Sequence, residues 1–243
     1  MPPRFLADSI DVASSTARLS ADEARHLSQV LRLDSGDEIA VFDGAGREFL
    51  ARVDEVDRNG ATLRLLEPIE PAAEPAVRLT LAQAYLKGEK MDDVVRDATM
   101  MGVSVIAPLI TEHTVRHPRT HDRWKKIAVS SAKQCGRAVV PTILEPQPFD
   151  ALPEAIAAMR LPGPALMLVE PAASAESLSL GDLDQAPPRE VTLVIGPEGG
   201  WTTEEIEAAA GPCRLLTLGG RTIRADAMAT VAIAALFARW GEY

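Results

Sequence analysis

The chain has 243 residues, of which 47% are hydrophobic, 25% charged and 4% aromatic, and its formal net charge at pH 7 is −10. The apolar fraction is too high for a disordered chain, no apolar run reaches the roughly 18–20 residues of a membrane span, and the two cysteines are too few for a disulfide framework. These values predict a reduced, cytoplasmic globular protein, and the acidic total argues against a protein that coats DNA through general positive charge.

The first 70 residues predict a small β-rich domain with one helix. Apolar residues recur at helical spacing in 20–33, and apolar and polar residues alternate around a Gly-rich turn at 43–46, which is the pattern of a β-hairpin. The segment Pro68–Pro75 contains three prolines and no periodicity, so it predicts a linker. We therefore expect one domain over residues 1–70 and a second over residues 76–243.

After the linker, predicted strands and helices alternate, which is typical of a parallel sheet covered on both faces. The predicted strands are 79–86, 103–110, 142–144, 165–169, 191–195 and 215–218, and the predicted helices are 91–101, 122–134, 153–159, 203–210 and 225–240. Residues 174–188 predict a polar loop. The last helix is apolar on all sides, which indicates either burial against a second copy of the chain or a deep core within one chain.

The charge is unevenly distributed along the chain. Residues 1–70 contain eight arginines and 14 acidic residues, a net charge of −6, whereas residues 113–137 contain seven cations and one acid, a net charge of +6. The basic segment predicts one surface that could bind phosphate, with a solvated helix face or a bias in codon composition as the alternative.

Several common motifs are absent or interrupted. The chain contains no GxGxxG, GxxxxGK[ST] or GxSxG sequence, so the usual dinucleotide, P-loop and esterase signatures are missing. His113, His117 and His121 follow one another at four-residue intervals, but Pro118 interrupts any helix that would stack them. We expect no metal site there and assign these histidines to a loop that faces solvent or RNA.

Two Gly-rich corners, 194–202 and 218–224, each follow a predicted buried strand and precede a helix. In parallel sheets, ligands bind where strand ends meet helix starts, so the two corners predict one pocket. Thr202 and Glu205 have the spacing of a capping box for the helix that follows the first corner. The alternative is a pair of tight turns that bind no ligand.

Three segments, IGPEGGWTTEE, LGGRTIRADAM and VSSAKQCGRAVVP, resemble the small-subunit ribosomal RNA methyltransferase E family of the SPOUT class. This family methylates N3 of a specific uridine in 16S rRNA. The resemblance implies an α/β fold with a SPOUT-type parallel sheet, helices on both faces and a deep trefoil knot, preceded by a small PUA-like RNA-binding β-barrel. It also implies S-adenosyl-L-methionine as cofactor, a homodimer, and 16S rRNA or the assembled small ribosomal subunit as partner, with no membrane and no metal.

The resemblance also implies roles for individual residues. Arg224 matches the arginine beside the transferred methyl group, and Asp226, a carboxylate with one carbon less reach than the glutamate common in the family, is a candidate catalytic residue. The implied cofactor-binding residues are Leu168, Val169, Glu170, Ile195, Gly196, Pro197, Glu198, Gly199, Leu218, Gly219, Ile223 and Met228. RNA contacts are expected from Arg4, Arg25, Arg32, Lys133, Gln134 and Arg137.

The chain departs from the usual family pattern at Gly220, at Ala225-Asp226 and at Met100-Met101. We expect Arg224 to stabilise negative charge that develops on the uracil ring, with Asp226 or water as the proton acceptor. A purely structural Arg224–Asp226 pair is the alternative. At the level of the whole protein, the alternatives are a non-catalytic RNA-binding assembly protein, a methyltransferase for another RNA nucleotide, and a nucleotide-binding enzyme of other chemistry.

Overall fold

The computed structural model describes residues 2–114, 121–157, 161, 163–171, 173 and 177–242. The chain forms two compact units, unit 1 with Met1–Glu74 and Val129–Val140, and unit 2 with Pro75–Ala128 and Pro141–Tyr243. Val129–Val140 therefore packs with the N-terminal residues, although it lies within the stretch predicted as the second domain. Within the described residues, no helix is both long enough and apolar enough to cross a membrane.

Unit 1 is built on a closed five-stranded barrel with the strand order β1-β2-β5-β4-β3. The strands are β1 (Arg4–Asp11), β2 (Thr16–Leu19), β3 (Glu38–Phe42), β4 (Glu48–Asp57) and β5 (Gly60–Ile69). β1 and β3 pair in parallel and close the barrel, while the other neighbours are antiparallel. Side chains that alternate inward along the strands form its core, among them Phe5, Ile39, Val53 and Leu63. The predicted hairpin and the small β-barrel are confirmed.

The predicted helix at 20–33 is shorter and less regular than expected. Helix α1 (Ala21–Arg25) begins at Ser20, whose Oγ accepts from the Glu23 backbone N–H, and continues into one π-helical turn at His26–Val30. It then ends at Arg32, which has a left-handed backbone with φ of 58°.

The predicted linker begins too early, because β5 continues through Pro68 to Ile69. Pro68 pairs with Phe49 of β4, but β2 extends along β5 only from Ala61 to Arg64. At Pro68 the strand therefore has a neighbour on one side only, and proline is tolerated on such an edge because no ladder hydrogen bond is lost.

Unit 2 contains a parallel sheet with the strand order β11-β13-β10-β12-β6-β7-β8, and β9 also pairs with β7. The strands are β6 (Arg78–Ala84), β7 (Val105–Ile110), β8 (Thr142–Ile143), β9 (Gln147–Pro148), β10 (Ala165–Leu168), β11 (Leu178–Ser179), β12 (Glu190–Ile195) and β13 (Cys213–Thr217). The helices are α2 (Lys90–Met100), α3 (His121–Cys135, whose last residues belong to unit 1), α4 (Leu152–Ala157), α5 (Thr203–Ala209) and α6 (Ala225–Trp240).

The central strands of this sheet are buried on both faces. All four residues of β10 are buried, as are the last five of β12. Because successive side chains of a strand point to opposite faces, both faces must be covered, as the run of apolar residues predicted. The α/β fold class is confirmed. Residues 158 and 159 of the predicted helix 153–159 and residues 174–176 of the predicted polar loop lie outside the described residues.

The order of the strands determines where a ligand could bind. β13, β10 and β12 are adjacent and parallel, so the loops that follow them all leave the same edge of the sheet. These loops are the two Gly-rich corners and the segment after Leu168. The sheet therefore brings together three chain segments that are far apart in sequence.

Candidate functional site

A cavity of about 320 Å³ lies at this edge of the sheet, entirely within unit 2. It is lined by Lys90, Leu168, Val169, Glu170, Pro171, Ile195, Gly196, Pro197, Glu198, Gly200, Trp201, Leu218, Gly219, Arg221, Thr222, Ile223, Arg224, Ala225, Asp226 and Met228. Both Gly-rich corners contribute to it, which confirms the prediction that they form one pocket.

Nearly all the residues predicted to bind the cofactor line this cavity, and Gly199 is the exception. A Cβ atom added at Gly199 would lie 2.9 Å from the Cβ of His113, so this glycine faces the segment before α3 rather than the cavity. His113 Nδ1 is also 2.9 Å from the Gly200 carbonyl oxygen. Gly199 and His113 therefore contact each other on the side of the corner that faces away from the cavity, and this contact stabilises the corner.

The other predicted loop histidines have different surroundings. His121 Nε2 lies 2.9 Å from the Ile143 carbonyl oxygen, and its Nδ1 lies 2.9 Å from Glu145. His117 lies outside the described residues. No group of His, Cys, Asp and Glu side chains within the described ranges could hold a metal ion.

Trp201 lines one wall of the cavity, although the sequence did not predict this residue to be part of the site. Its indole N–H donates to the Leu168 carbonyl oxygen at 2.8 Å, and its ring packs against Phe149 at 5.0 Å between centroids. A Cβ at Gly196 would lie 2.9 Å from the same indole, so only glycine lets the strand end approach the ring. Thr202 and Glu205 form the predicted capping box, which fixes the start of α5 directly afterwards.

Lys90, at the start of α2, is a second residue that the sequence analysis missed. Its Nζ donates to Glu198 Oε1 at 2.9 Å, and the Lys87 backbone N–H donates to the same oxygen at 3.1 Å. Burial raises the pKa of Glu198, but these hydrogen bonds outweigh it and hold that pKa below its ordinary value. Glu198 therefore faces the cavity as a carboxylate.

Arg224 and Asp226 meet at the start of α6. Arg224 Nε and Nη2 donate to the two Asp226 oxygens at 3.1 and 2.7 Å, which is a bidentate contact. The hydrogen bond from Arg224 holds the pKa of Asp226 below its ordinary value, and the same bond raises the pKa of Arg224. The Arg224 side chain is 75% exposed, so much of the guanidinium surface remains accessible.

Arg221 is the third cation at the cavity, and its position there was not singled out from sequence. It is exposed, and no ion pair joins it to any residue that the structure describes. Lys90 and Arg224 are both held by carboxylates, so Arg221 differs from them in having no fixed partner.

Arg4 and Arg137, which were both predicted to contact RNA, are buried and paired in the structure. The Arg4 side chain is 6% exposed and is bound by Glu48 at 2.7 Å, while the Arg137 side chain is 5% exposed and is bound by Glu74 at 2.6 Å. Buried guanidinium groups that are already saturated with acceptors have no surface to offer a phosphate. Both arginines stabilise unit 1 instead.

The predicted basic surface at 113–137 is also reduced by ion pairs. Lys133 is bound by Glu23 at 2.5 Å, and Arg123 by Asp92 at 2.5 Å. Arg116 and Arg119 lie outside the described residues. Lys125 and Lys126 are exposed and form no ion pair with any residue in the described part of the chain.

Three of the predicted RNA-binding residues are exposed. They are Gln134, Arg25 and Arg32, and all three belong to unit 1. Arg25 forms one weak contact of 3.3 Å with Asp22, in which both side chains are mostly exposed.

Comparison with known proteins identifies the two parts of the chain. A family model described as an RNA methyltransferase domain matches residues 73–237, and one described as an RNA methyltransferase PUA domain matches residues 19–66. Solved structures of several proteins are similar over almost the whole chain, among them two that are described with bound S-adenosylmethionine. One is a ribosomal RNA small subunit methyltransferase E from Neisseria gonorrhoeae bound to S-adenosyl methionine, with 28% identity, a TM-score of 0.85, and coverage of 99% of this chain and 98% of that one.

The other structure is a putative methyltransferase from Legionella pneumophila in complex with the cofactor SAM, with 29% identity, a TM-score of 0.84 and coverage of 98% of both chains. In sequence, the ribosomal RNA small subunit methyltransferase E of Synechocystis sp. is 32% identical over 239 residues, which cover 96% of this chain and 77% of that protein. With this fold, this cavity and these matches, the chain belongs to the ribosomal RNA small subunit methyltransferase E family.

Proposed function

We propose that this protein transfers a methyl group from S-adenosyl-L-methionine to N3 of a specific uridine in 16S rRNA, in the cytoplasm. The observation that carries the proposal is the cavity at the ends of β10, β12 and β13, with the Arg224–Asp226 pair at its edge. Family membership supports the reaction class, and the solved relatives that are described with bound S-adenosylmethionine support the cofactor.

The residues around the cavity fit this cofactor. Leu168 and Ile195 are buried apolar side chains in its wall, which suits an adenine ring. A Cβ added at Gly219 would meet no atom within 4 Å, so the backbone there is open to a ligand. Glu170 and Glu198 add carboxylates that suit hydroxyl and ammonium groups. When bound, the cofactor supplies a methyl group activated by a positively charged sulfur.

Arg224 is proposed to act on the uracil ring. N3 of uracil must lose its proton before or during attack, so negative charge develops on the ring and its oxygens. A cation that is already fixed stabilises such charge without reorganising, and the contact with Asp226 fixes Arg224 in this way. The lowered pKa of Asp226 makes it a weak proton acceptor, so we favour water as the acceptor and a positioning role for Asp226.

The assembly is proposed to be a homodimer formed through α6. On one side of this helix, Ala227 and Val231 are exposed, and Ala234 and Ala235 are half-buried, with Val231 at 39% exposure. An exposed apolar stripe on a long helix is typical of a surface that a partner covers.

A trefoil knot in unit 2 is also part of the proposal. β13 lies between β10 and β11 in the sheet, although β10, β11, β12 and β13 follow one another along the chain. This strand order is compatible with the trefoil knot that the family resemblance implies.

The test is a methyl-transfer assay with labelled S-adenosylmethionine and 16S rRNA or small ribosomal subunits, followed by mass spectrometry of the methylated nucleoside. Arg224→Ala should abolish transfer while calorimetry finds cofactor affinity within a few fold of the parent. Arg214→Ala is the matched control, because Arg214 is an exposed arginine of β13 that does not line the cavity. Retained turnover in Arg224→Ala would exclude the proposed role.

The same experiment separates the remaining alternatives. A protein that binds rRNA but not S-adenosylmethionine would be a non-catalytic scaffold. Methylation at a position other than uridine N3 would identify a different RNA target, and a preference for nucleoside phosphates would indicate another chemistry.

A further inference from the structure

The backbone carbonyl of Ala84, the last residue of β6, points towards β12, the strand that leads into the first Gly-rich corner. Along β6, the Arg78 backbone N–H donates to Arg189, which precedes its partner in β12, whereas the Tyr85 backbone N–H donates to Leu109 of β7. Because the backbone groups of successive strand residues point alternately to the two neighbouring strands, those of Ala84 point to β12. Ala84 is fully buried, so its carbonyl oxygen needs a donor from within the protein.

The register of the two strands places a proline where that donor would be. In a parallel pair, a residue that faces its neighbouring strand donates to the residue before its partner and accepts from the residue after it. Gln83 is opposite Ile195, so the next position of the register makes Gly196 the partner of Ala84. The donor to the Ala84 carbonyl would then be the residue after Gly196, which is Pro197 and has no backbone N–H.

The side chain of Gln83 supplies the missing donor. Its Nε2 donates to the Ala84 carbonyl oxygen at 3.0 Å, and Gln83 is fully buried. A carbonyl oxygen only accepts, so the nitrogen of the amide faces it. The amide oxygen Oε1 is left without a hydrogen-bond partner in the described part of the chain. An apolar side chain would avoid this unpaired acceptor, so the bond to Ala84 is what an amide at this position contributes.

The corner gains rigidity from Pro197, which lines the cavity. A proline ring fixes φ at about −65°, so the backbone between β12 and the cavity loses little freedom when a ligand binds. The next residue, Glu198, is held in place by the Lys87 backbone N–H at 3.1 Å. Without the donor from Gln83, the buried Ala84 carbonyl would have to move away from the proline or admit water, and either change would displace the corner.

We propose that Gln83 is a positioning residue for the methyl-transfer reaction, because it replaces the hydrogen-bond donor that Pro197 lacks and so keeps the cofactor-binding corner against β6. Gln83 is not among the residues that line the cavity, so it acts on the cofactor through the corner and not by contact. The inference rests on the proposed function, because it assumes that the cavity binds S-adenosylmethionine. Loss of the bond should weaken cofactor binding and leave the interaction with RNA unchanged.

The test is a double-mutant cycle on the whole protein, with the affinity for S-adenosylmethionine measured by calorimetry. Gln83→Met keeps the length of the side chain but removes the donor, and it should raise Kd roughly fivefold, which corresponds to one hydrogen bond. Pro197→Ala restores a backbone N–H at this position, so in that background Gln83→Met should change Kd by less than about twofold. With saturating cofactor, kcat and KM for RNA of Gln83→Met should stay within about twofold of the unmodified protein.

Tyr85→Phe is the matched control. Tyr85 follows β6 directly, is 4% exposed, and has a hydroxyl group without a hydrogen-bond partner within the described residues. The substitution removes a buried polar atom of the same segment but no hydrogen bond, so Kd should not change. An equal loss of affinity in Tyr85→Phe and Gln83→Met would show that packing and not the donor is responsible, and would overturn the inference. Additive effects of Gln83→Met and Pro197→Ala would overturn it as well.

The same measurements separate this inference from folding and from the proposed function. If Gln83→Met does not fold, Pro197→Ala should restore its folding, and the inference fails if it does not. If the unmodified protein binds no S-adenosylmethionine, the proposed function fails and the inference with it. If the unmodified protein binds the cofactor and Gln83→Met binds it equally well, only the role of Gln83 is refuted.

Discussion

The strongest stability prediction concerns Arg4, which was predicted from sequence to contact RNA. Its Nε and Nη2 donate to the two oxygens of Glu48 at 2.7 and 2.8 Å, and both side chains are at most 6% exposed. The same guanidinium donates to the carbonyl oxygens of Ala132, Lys133 and Arg137 at 2.7–2.9 Å. Two of these carbonyls are in the last turn of α3, where helix carbonyls have no partner within the helix.

Arg4→Ala would leave a buried carboxylate and these carbonyls without a donor. Removing one member of a buried ion pair costs about 3–5 kcal/mol, and each lost hydrogen bond adds about 1 kcal/mol. We expect a loss near the upper end, about 5 kcal/mol of the free energy of unfolding. Replacing both Arg4 and Glu48 with methionine removes the unpaired charge, but the carbonyls still lose their donor, so about 2–3 kcal/mol should remain lost.

Urea unfolding followed by far-UV circular dichroism measures these differences. Arg52→Ala is the matched control, because its pair with Glu38 has a similar length of 2.8 Å but side chains that are 49% and 46% exposed. Such a surface pair contributes about 1 kcal/mol or less. If Arg4→Ala lost no more stability than Arg52→Ala and bound rRNA more weakly, the structural assignment of Arg4 would be refuted.

Four further predictions concern the candidate site and the assembly. Trp201→Phe keeps an aromatic ring but removes the donor to the Leu168 carbonyl, so urea unfolding should find the free energy of unfolding lower by about 1 kcal/mol. Val231→Asp should shift the protein from dimer to monomer in sedimentation equilibrium. Arg221→Ala should raise KM for RNA far more than it lowers kcat. Burial raises the pKa of the Cys213 thiol to about 11, so the thiol of the unfolded chain loses its proton at a lower pH than the thiol of the folded chain. The folded state should therefore lose stability, and Tm should fall, as pH rises from about 9 to 11. A Tm unchanged over that range would contradict this prediction.

The fold was largely predictable because its elements depend on local patterns. The buried strands β10 and β12 are short apolar runs, and the start of α5 depends on two side chains three residues apart. The two-residue strands β9 and β11 were missed, since two residues carry no periodicity, whereas the equally short β8 was predicted from the apolar residues at 143 and 144. The irregular end of the first helix was missed as well, because a π-helical turn and a left-handed Arg32 have no sequence signature as glycine or proline does.

The pocket was predictable for a related reason. Gly196 and Gly219 lie in the two Gly-rich corners, where the backbone conformation or a close contact requires glycine, and this requirement is visible in the local sequence. The order of the strands in a parallel sheet then brings the two corners together. Lys90 and Trp201 were missed because their contribution depends on contacts with distant residues. Lys90 reaches Glu198, which is 108 residues away along the chain, and Trp201 reaches Leu168.

Counting charge by segment did not show which cations of the basic stretch are already paired, for the same physical reason. Lys133 and Arg137 of that stretch are paired with acids that lie 110 and 63 residues away in sequence. A window of 25 residues cannot detect partners at these distances. Ion pairs that form in the folded chain, and not the local composition, determine which cations of unit 1 remain accessible.

The pairing of charges also separates the roles of the cations at the cavity. Lys90 and Arg224 are each held by a carboxylate at 2.9 Å or less, so their positions are fixed before substrate arrives. Fixed charge is effective where charge develops during reaction, because no reorganisation is needed at that moment. Arg221 is exposed and has no such partner within the described residues, so it can follow a phosphate as RNA docks but loses side-chain freedom when it does. We therefore assign stabilisation of the reacting ring to Arg224 and capture of the nucleotide backbone to Arg221.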